Sequence, residues 1–190
     1  YGFSTQDVWA LTDDPAVADF VERTMSELVA WLVASPETDG SPEEIVETHR
    51  AKLAKLTSTW IGNKLTSVLA ARGTSIVAAN VTPENMAELM RLVFERTLNN
   101  TAALTVLEHM LDSGSGPETI MQERGLASID SKETLTEIVE GVLLRYPNYV
   151  EEYKAGKVAL LQFFIGMVQK ETEGKADPRL TKSILERRLG

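Results

Sequence analysis

The chain has no cysteine. A disulfide scaffold, a thiolate zinc site and a cysteine nucleophile are therefore excluded. Imidazole is nearly as scarce. His49 and His109 are the only histidines, which leaves a His-rich metal site or a serine triad short of parts. Long apolar runs are missing too. The longest, Val158 to Val168, has eleven residues and is interrupted by Gln162. That is about half of the ~20 needed to span a bilayer. With 12 glycines and 7 prolines in 190 residues, collagen-like and low-complexity classes fall away. The phosphate-loop pattern GxxxxGK[ST], the dinucleotide pattern GxGxxG and the zinc pattern HExxH do not occur. No basic-then-apolar leader follows Tyr1, so no signal peptide is expected. The expectation is a soluble protein of a reducing compartment. A first residue other than Met adds the expectation of a fragment cut from a longer chain.

What is present is an ordinary core composition with an uneven charge. The chain is 43% hydrophobic and 25% charged, enough to bury one good core or two small ones. Its net charge of −9 hides a gradient. The stretch from Lys154 to Gly190 holds 8 basic and 4 acidic residues, a net of +4 on an otherwise acidic body. Phosphate backbones respond to local potential within about a Debye length, ~8–10 Å, so the local excess matters more than the average.

Nearly every segment has helical spacing. Tyr1 to Thr12 reads as an irregular approach. Asp14-Pro15 is an N-cap followed by a proline at the first helical position. Val17, Phe20, Val21, Thr24, Leu28 and Leu32 then share one face. Ser41-Pro42-Glu43-Glu44 is a capping box. It opens a helix that can run to about Ala71, either unbroken or with a break near Thr57-Ser58, and has core positions at Ile45, Leu53, Leu56, Trp60, Ile61, Leu65 and Val68. Arg72 to Val81 is a loop. Thr82-Pro83 caps a helix with Met86, Leu89, Met90, Val93 and Phe94 inward. Asn99-Asn100 ends it and caps another, with Leu104, Leu107 and Leu111 on one face.

Asp112 to Gly116 has the most flexible composition and is the expected domain boundary. Beyond it, Pro117 to Arg124 closes at Gly125, a left-handed C′ residue followed by Leu126. Asp130-Ser131-Lys132-Glu133 is a second capping box, for a helix carrying Leu135, Ile138, Val139 and Val142. Pro147 stops that helix. Asn148 to Ala155 is short. Lys157 to Glu171 carries Leu160, Leu161, Phe164, Ile165 and Val168. Asp177-Pro178 caps the last helix, with Leu180, Ile184, Leu185 and Leu189. No strand and no repeat emerge. The fold class is all-α, a helical bundle over 1–113 followed by a smaller helical domain over 114–190.

Catalytic chemistry is not apparent. The pairs Glu43/Glu44 and Glu151/Glu152 are helix neighbours and do not converge on a substrate. His49 and His109 sit in helices among charged residues. The sequons at Asn80 and Asn99 coincide with helix caps. Trp9, Trp31 and Trp60 lie far in sequence from the basic end, which assigns them to packing rather than nucleic-acid stacking. No catalytic residue and no metal ligand is nominated.

Three segments carry a resemblance. They are Pro117-Glu118-Thr119-Ile120-Met121-Gln122-Glu123-Arg124-Gly125-Leu126, then Tyr149-Val150-Glu151-Glu152-Tyr153-Lys154-Ala155-Gly156-Lys157, then Gly174-Lys175-Ala176-Asp177-Pro178-Arg179-Leu180. Together they resemble the tail of the GatB family, the B subunits of aspartyl/glutamyl-tRNA amidotransferases, a tail shared with the small YqeY proteins. Val106-Leu107-Glu108-His109-Met110, Trp60-Ile61-Gly62-Asn63-Lys64-Leu65 and Tyr1-Gly2-Phe3-Ser4 are similar to further family stretches. Three positions depart from the family pattern, Asn85 among them, where the family often has another helix-favouring residue. Lys64 stands where an acidic residue is usual, and Gln169 is displaced within Gly166-Met167-Val168-Gln169-Lys170.

The resemblance implies a helical bundle followed by a YqeY-like tail. It implies a part in a ligase that converts Glu-tRNA(Gln) or Asp-tRNA(Asn) to the amidated form, with ATP and Mg used by the full-length protein. The implied partners are tRNA(Gln)/tRNA(Asn), the amidase (GatA), and the small third component of the amidotransferase (GatC), with no membrane. The implied location is the cytoplasm of a bacterium or the matrix of a mitochondrion or plastid. The catalytic cradle of the family is not in this stretch, so the piece is expected to be silent in catalysis and to grip the tRNA body near the outer corner of its L. Cations on phosphates suit that task, and the candidates are Lys154, Lys157, Lys170, Lys175, Arg179 and Lys182. Gly156 and Gly174 are read either as close approaches to phosphate or as helix C-caps. The competing reading is a helical protein–protein module whose acidic first half docks a basic partner.

Overall fold

Six of the seven prolines sit at the first position of a helix, and they set the punctuation of the chain. A computed structural model describes residues 1–127, 129 and 132–190. The helices are α1 (Thr5–Thr12), α2 (Pro15–Ala34), α3 (Pro42–Thr57), a π-helical segment (Ser58–Leu65), α4 (Thr66–Ala71), α5 (Pro83–Phe94), α6 (Asn100–Ser113), α7 (Pro117–Arg124), α8 (Lys132–Arg145), α9 (Pro147–Lys154), α10 (Leu160–Glu171) and α11 (Pro178–Leu189). Among the described residues there is no strand beyond one isolated parallel bridge between Ile129 and Ala176. The all-α expectation holds. The capping box expected at Asp130-Ser131 lies outside the described residues.

Local chemistry explains most helix starts. Asp14 accepts from the Ala16 N–H at 2.8 Å. Ser41 and Glu44 form the reciprocal box, with the Glu44 N–H donating to Ser41 Oγ at 3.3 Å and the Ser41 N–H to Glu44 Oε2 at 2.9 Å. Thr82 Oγ1 accepts from Asn85 N–H at 3.2 Å. Gly125 closes α7 in the left-handed region at φ 57°.

Three expectations are corrected. Residues 5–12 are helical, not irregular. Ser4 caps them by accepting from the Asp7 N–H at 3.1 Å, and Leu11 is the one side chain of α1 that is buried. With so little apolar surface, α1 lacks the stripe by which a helix is recognised. The chain also does not break at Thr57-Ser58. It stays helical through the wider π turn to Ala71, and the extra residue in that turn shifts the inward face. Leu69 is buried where Val68 was expected, while Trp60, Ile61 and Leu65 take their expected places.

The third correction concerns the division of the chain. One compact unit comprises Tyr1–Glu95 with Ala103–Gly125, and the other Arg96–Ala102 with Leu126–Gly190. The expected division at 113/114 differs on two counts. Helix α7 belongs to the first unit, where it packs on α5. Residues 96–102 belong to the second, to which the Asn99 side chain is hydrogen-bonded.

The first unit is centred on α2 packed against α5 and α3, with Met25, Leu28, Leu32, Leu53, Trp60, Met86, Leu89 and Met90 almost fully buried. Val93, Phe94 and Leu104 are only half-buried, and Leu92, Val106 and Met110 take the inward places instead. The second unit has one core, built from Leu135, Val139 and Val142 of α8, Phe164 and Val168 of α10, Ala176, and Ile184, Leu185 and Leu189 of α11.

Two carboxyls of the first unit respond oppositely to pH. Glu88 faces Glu118, and burial followed by that like charge outweighs Arg91 in raising its carboxyl above the usual range. A raised carboxyl destabilises the fold once it ionises, so stability increases as pH falls through the folded-state value. Glu44 is held below its usual range by the Ser41 hydrogen bonds, so its contribution is lost as pH falls through that lower value. Glu88→Gln should therefore raise the thermal midpoint at pH 7 and leave it unchanged well below pH 4, in melts across that range.

Candidate nucleic-acid interface

The basic end of the chain is built around α10 and the turn that follows it. The turn Gly174-Lys175-Ala176-Asp177 is held by its own backbone and by three side chains. The Gly174 N–H donates to Gln169 O at 2.8 Å, and the Lys175 N–H to Thr172 O at 3.0 Å. The Ala176 N–H donates to Thr172 Oγ1 at 3.3 Å. The carbonyls are also taken. Asn99 Nδ2 donates to Gly174 O at 2.8 Å and to Ala176 O at 3.2 Å. Gln169 Nε2 donates to Ala176 O at 2.8 Å, and the Ile129 N–H to Lys175 O at 3.0 Å. The same Asn99 caps α6, its Oδ1 accepting from the Thr101 and Ala102 N–H groups, both at 2.9 Å. One amide thus joins the start of α6 to the turn.

Gly174 has φ 81°, and a Cβ there would lie 3.1 Å from Thr101 Cγ2. Gly156 has φ 106° and open space around it, with its N–H donated to Tyr153 O at 2.9 Å. Both glycines are therefore turn residues following a helix. Their N–H groups are committed internally, so neither N–H is available to a phosphate.

Five of the six nominated cations fall into two groups at opposite ends of α10, and the sixth, Lys182, lies on α11. Lys154 and Lys157 precede it; Lys170, Lys175 and Arg179 lie at or beyond its far end. The 12 residues of α10 separate the groups by about 18 Å. On α11, Arg179 and Lys182 share the solvent side opposite the buried Thr181, Ile184, Leu185 and Leu189. Three of the six are paired. Lys157 meets Glu152 at 3.1 Å, Lys175 meets Glu173 at 3.5 Å and Lys182 meets Glu186 at 3.7 Å. Such exposed pairs are worth about 0–1 kcal/mol and are readily exchanged for another anion. Lys175 is the least available, its side chain being 24% exposed. Lys154, Lys170 and Arg179 are exposed and form no ion pair among the described residues. Arg179 stands in the first turn of α11, where a cation gains nothing from the helix dipole. Helix stability does not account for its position.

The GatB domain model of the GatB/YqeY family matches residues 41–189. The chain belongs to this family. It is 32% identical over 189 residues to the B subunit of the aspartyl/glutamyl-tRNA(Asn/Gln) amidotransferase of Thermosynechococcus vestitus, covering 100% of this chain and 33% of that protein. The corresponding protein of Prochlorococcus marinus strain NATL2A is 29% identical over 188 residues, 99% of this chain and 34% of that one. That of Moorella thermoacetica is 43% identical over 136 residues, 72% of this chain and 29% of that one. The chain therefore spans about a third of the length of these relatives.

Within this GatB domain the residues that organise the basic turn, Asn99, Gln169 and Thr172, were not nominated from sequence. Asn99 was legible only as a cap, because its partner Gly174 lies 75 residues away. The tryptophans are far from the cations in the chain: Trp60 is buried, Trp31 meets Phe94 edge-on and Trp9 is exposed. The tyrosines are closer, for Tyr146, Tyr149 and Tyr153 immediately precede Lys154 and Lys157. His49 is half-buried with Nδ1 2.9 Å from Ile45 O. Among the described residues no group of three or more His, Cys, Asp or Glu could hold a metal ion, and no helix is long and apolar enough to cross a membrane.

Proposed function

We propose that the second unit holds the body of a tRNA through Lys154, Lys157, Lys170, Lys175, Arg179 and Lys182, as part of a longer protein serving tRNA-dependent amidation. The relatives' names support the amidation role, since they are components of tRNA(Asn/Gln) amidotransferases. The observation that carries the binding role is the trio Lys154, Lys170 and Arg179, exposed and without ion pairs among the described residues, at both ends of one helix. A span of about 18 Å reaches several consecutive phosphates along a folded RNA. Cations placed so fix position and carry no base code, which suits the body of a tRNA.

In this reading the chemistry on Glu-tRNA(Gln) or Asp-tRNA(Asn) belongs to the parts of the longer relatives that this chain does not match. ATP and magnesium would act there. Among the described residues the carboxylates form no set suited to the metal. The amidase GatA and the small protein GatC complete the assembly. It works where tRNA is charged, in a bacterial cytoplasm or an organellar matrix.

The test is a titration of the chain with tRNA between 50 and 200 mM salt. Log affinity should fall with log salt at about −0.7 to −0.9 per phosphate contact, or about −2 to −3 for the unpaired trio alone. Affinity independent of salt would refute the reading.

A further inference from the structure

Five of the chain's nine tyrosines and phenylalanines fall between positions 146 and 164, and only Phe164 among them is fully buried. Tyr146 and Tyr149 are nearly parallel, 7° apart with centroids 6.0 Å from each other. Phe163 stands perpendicular to both, at 5.2 Å from Tyr146 and 4.9 Å from Tyr149. Phe163 in turn packs edge-on against the buried Phe164 at 5.5 Å, so the tyrosines rest on a rigid base. Tyr149 nevertheless stays 39% exposed. Tyr146 and Phe163 pack against the core of the second unit, and Tyr149 is the ring of the group that this core leaves open.

The charges nearby select the ligand. Lys154 ends the same helix, about 7.5 Å along the axis from Tyr149 but about 140° around it, so it lies off the platform's side. Lys157 follows across the Gly156 turn and already holds the Glu152 carboxylate. Glu151 is rotated about 200° from Tyr149 on α9 and faces elsewhere, whereas Glu152 lies about 60° from it and brings its partner Lys157 to that side.

We propose that Tyr149, backed by Tyr146 and Phe163, is a stacking platform for one unpaired base of an RNA loop, with Lys157 on a flanking phosphate. This rests on the RNA-binding reading above and adds a base contact to it. Every base has a π face, so such a contact tolerates sequence. It also predicts that part of the affinity is insensitive to salt.

The experiment uses the full chain with Tyr149→Phe and Tyr149→Leu, each checked for helix content by circular dichroism. Binding is measured to tRNA and to heparin, a polyanion without bases. Tyr149→Phe should bind tRNA as the parent does. Tyr149→Leu keeps the apolar bulk but has no ring; it should bind tRNA about tenfold more weakly with an unchanged salt slope and undiminished heparin binding. If Tyr149→Leu binds tRNA like the parent, or loses heparin equally, the platform is refuted while tRNA binding stands. A parent chain that binds no tRNA at low salt refutes the underlying reading and assigns the aromatic patch to a protein partner.

Discussion

Asn99→Ala is expected to destabilise the second unit by about 1.5–2.5 kcal/mol. The side chain is buried, at 9% exposure, and every polar atom it carries is used. Losing Oδ1 removes the cap of α6, which costs about 1 kcal/mol. Losing Nδ2 costs a comparable amount. Ala176 O keeps its bond from Gln169, but the one side-chain donor recorded for Gly174 O is Asn99. Gly174 is half-buried, so losing this bond costs about 0.5–1.5 kcal/mol. Asn99→Ser separates the two terms. Serine can still cap the helix but is too short to reach the turn, so it should show the carbonyl cost alone. Urea unfolding followed by circular dichroism measures both, and an unshifted midpoint for Asn99→Ala would contradict the role assigned to this amide.

The second large effect concerns the free cations. Reversing Lys154, Lys170 and Arg179 together to glutamate should abolish retention of tRNA near physiological salt. All three are exposed and lack ion pairs among the described residues, so the substitutions break no recorded pair and the fold should survive. Reversal does more than delete contacts, because each new carboxylate repels the phosphate its predecessor attracted. A control is available in the paired residues. Lys182→Gln loosens only the exposed pair with Glu186 at 3.7 Å and removes a single contact, so it should weaken binding modestly. A triple-reversal chain that folds and still retains tRNA would favour the module that docks a basic protein partner.

The parts of this molecule that were legible in its sequence are those determined within a few residues. Proline after Asp14, Ser41, Thr82 and Asp177 marked helix starts because its fixed φ and missing N–H suit only that position. Gly125 marked a helix end for the converse reason. The inward faces of α2, α8 and α11 followed from spacing. Helix α1 escaped because it buries a single leucine, and the π segment because i+5 hydrogen bonding has no compositional signature.

The division into units was hidden for a different reason. Flexible composition at Asp112 to Gly116 marks a turn, whereas the grouping of residues 96–102 with the second unit depends on contacts made across 75 residues and more. The cations themselves could be counted in the sequence. Which of them are free could not, since that depends on where Glu152, Glu173 and Glu186 fall after folding.

The central claim is that free cations at the two ends of α10 hold tRNA phosphates. Its most direct measurement compares salt slopes of tRNA binding for the parent chain and for the Lys154→Gln, Lys170→Gln, Arg179→Gln triple variant, whose residual binding remains measurable at low salt. The account predicts a slope shallower by about 2–3 in the variant, close to one unit for each phosphate contact removed. Parallel slopes in the two chains would contradict it.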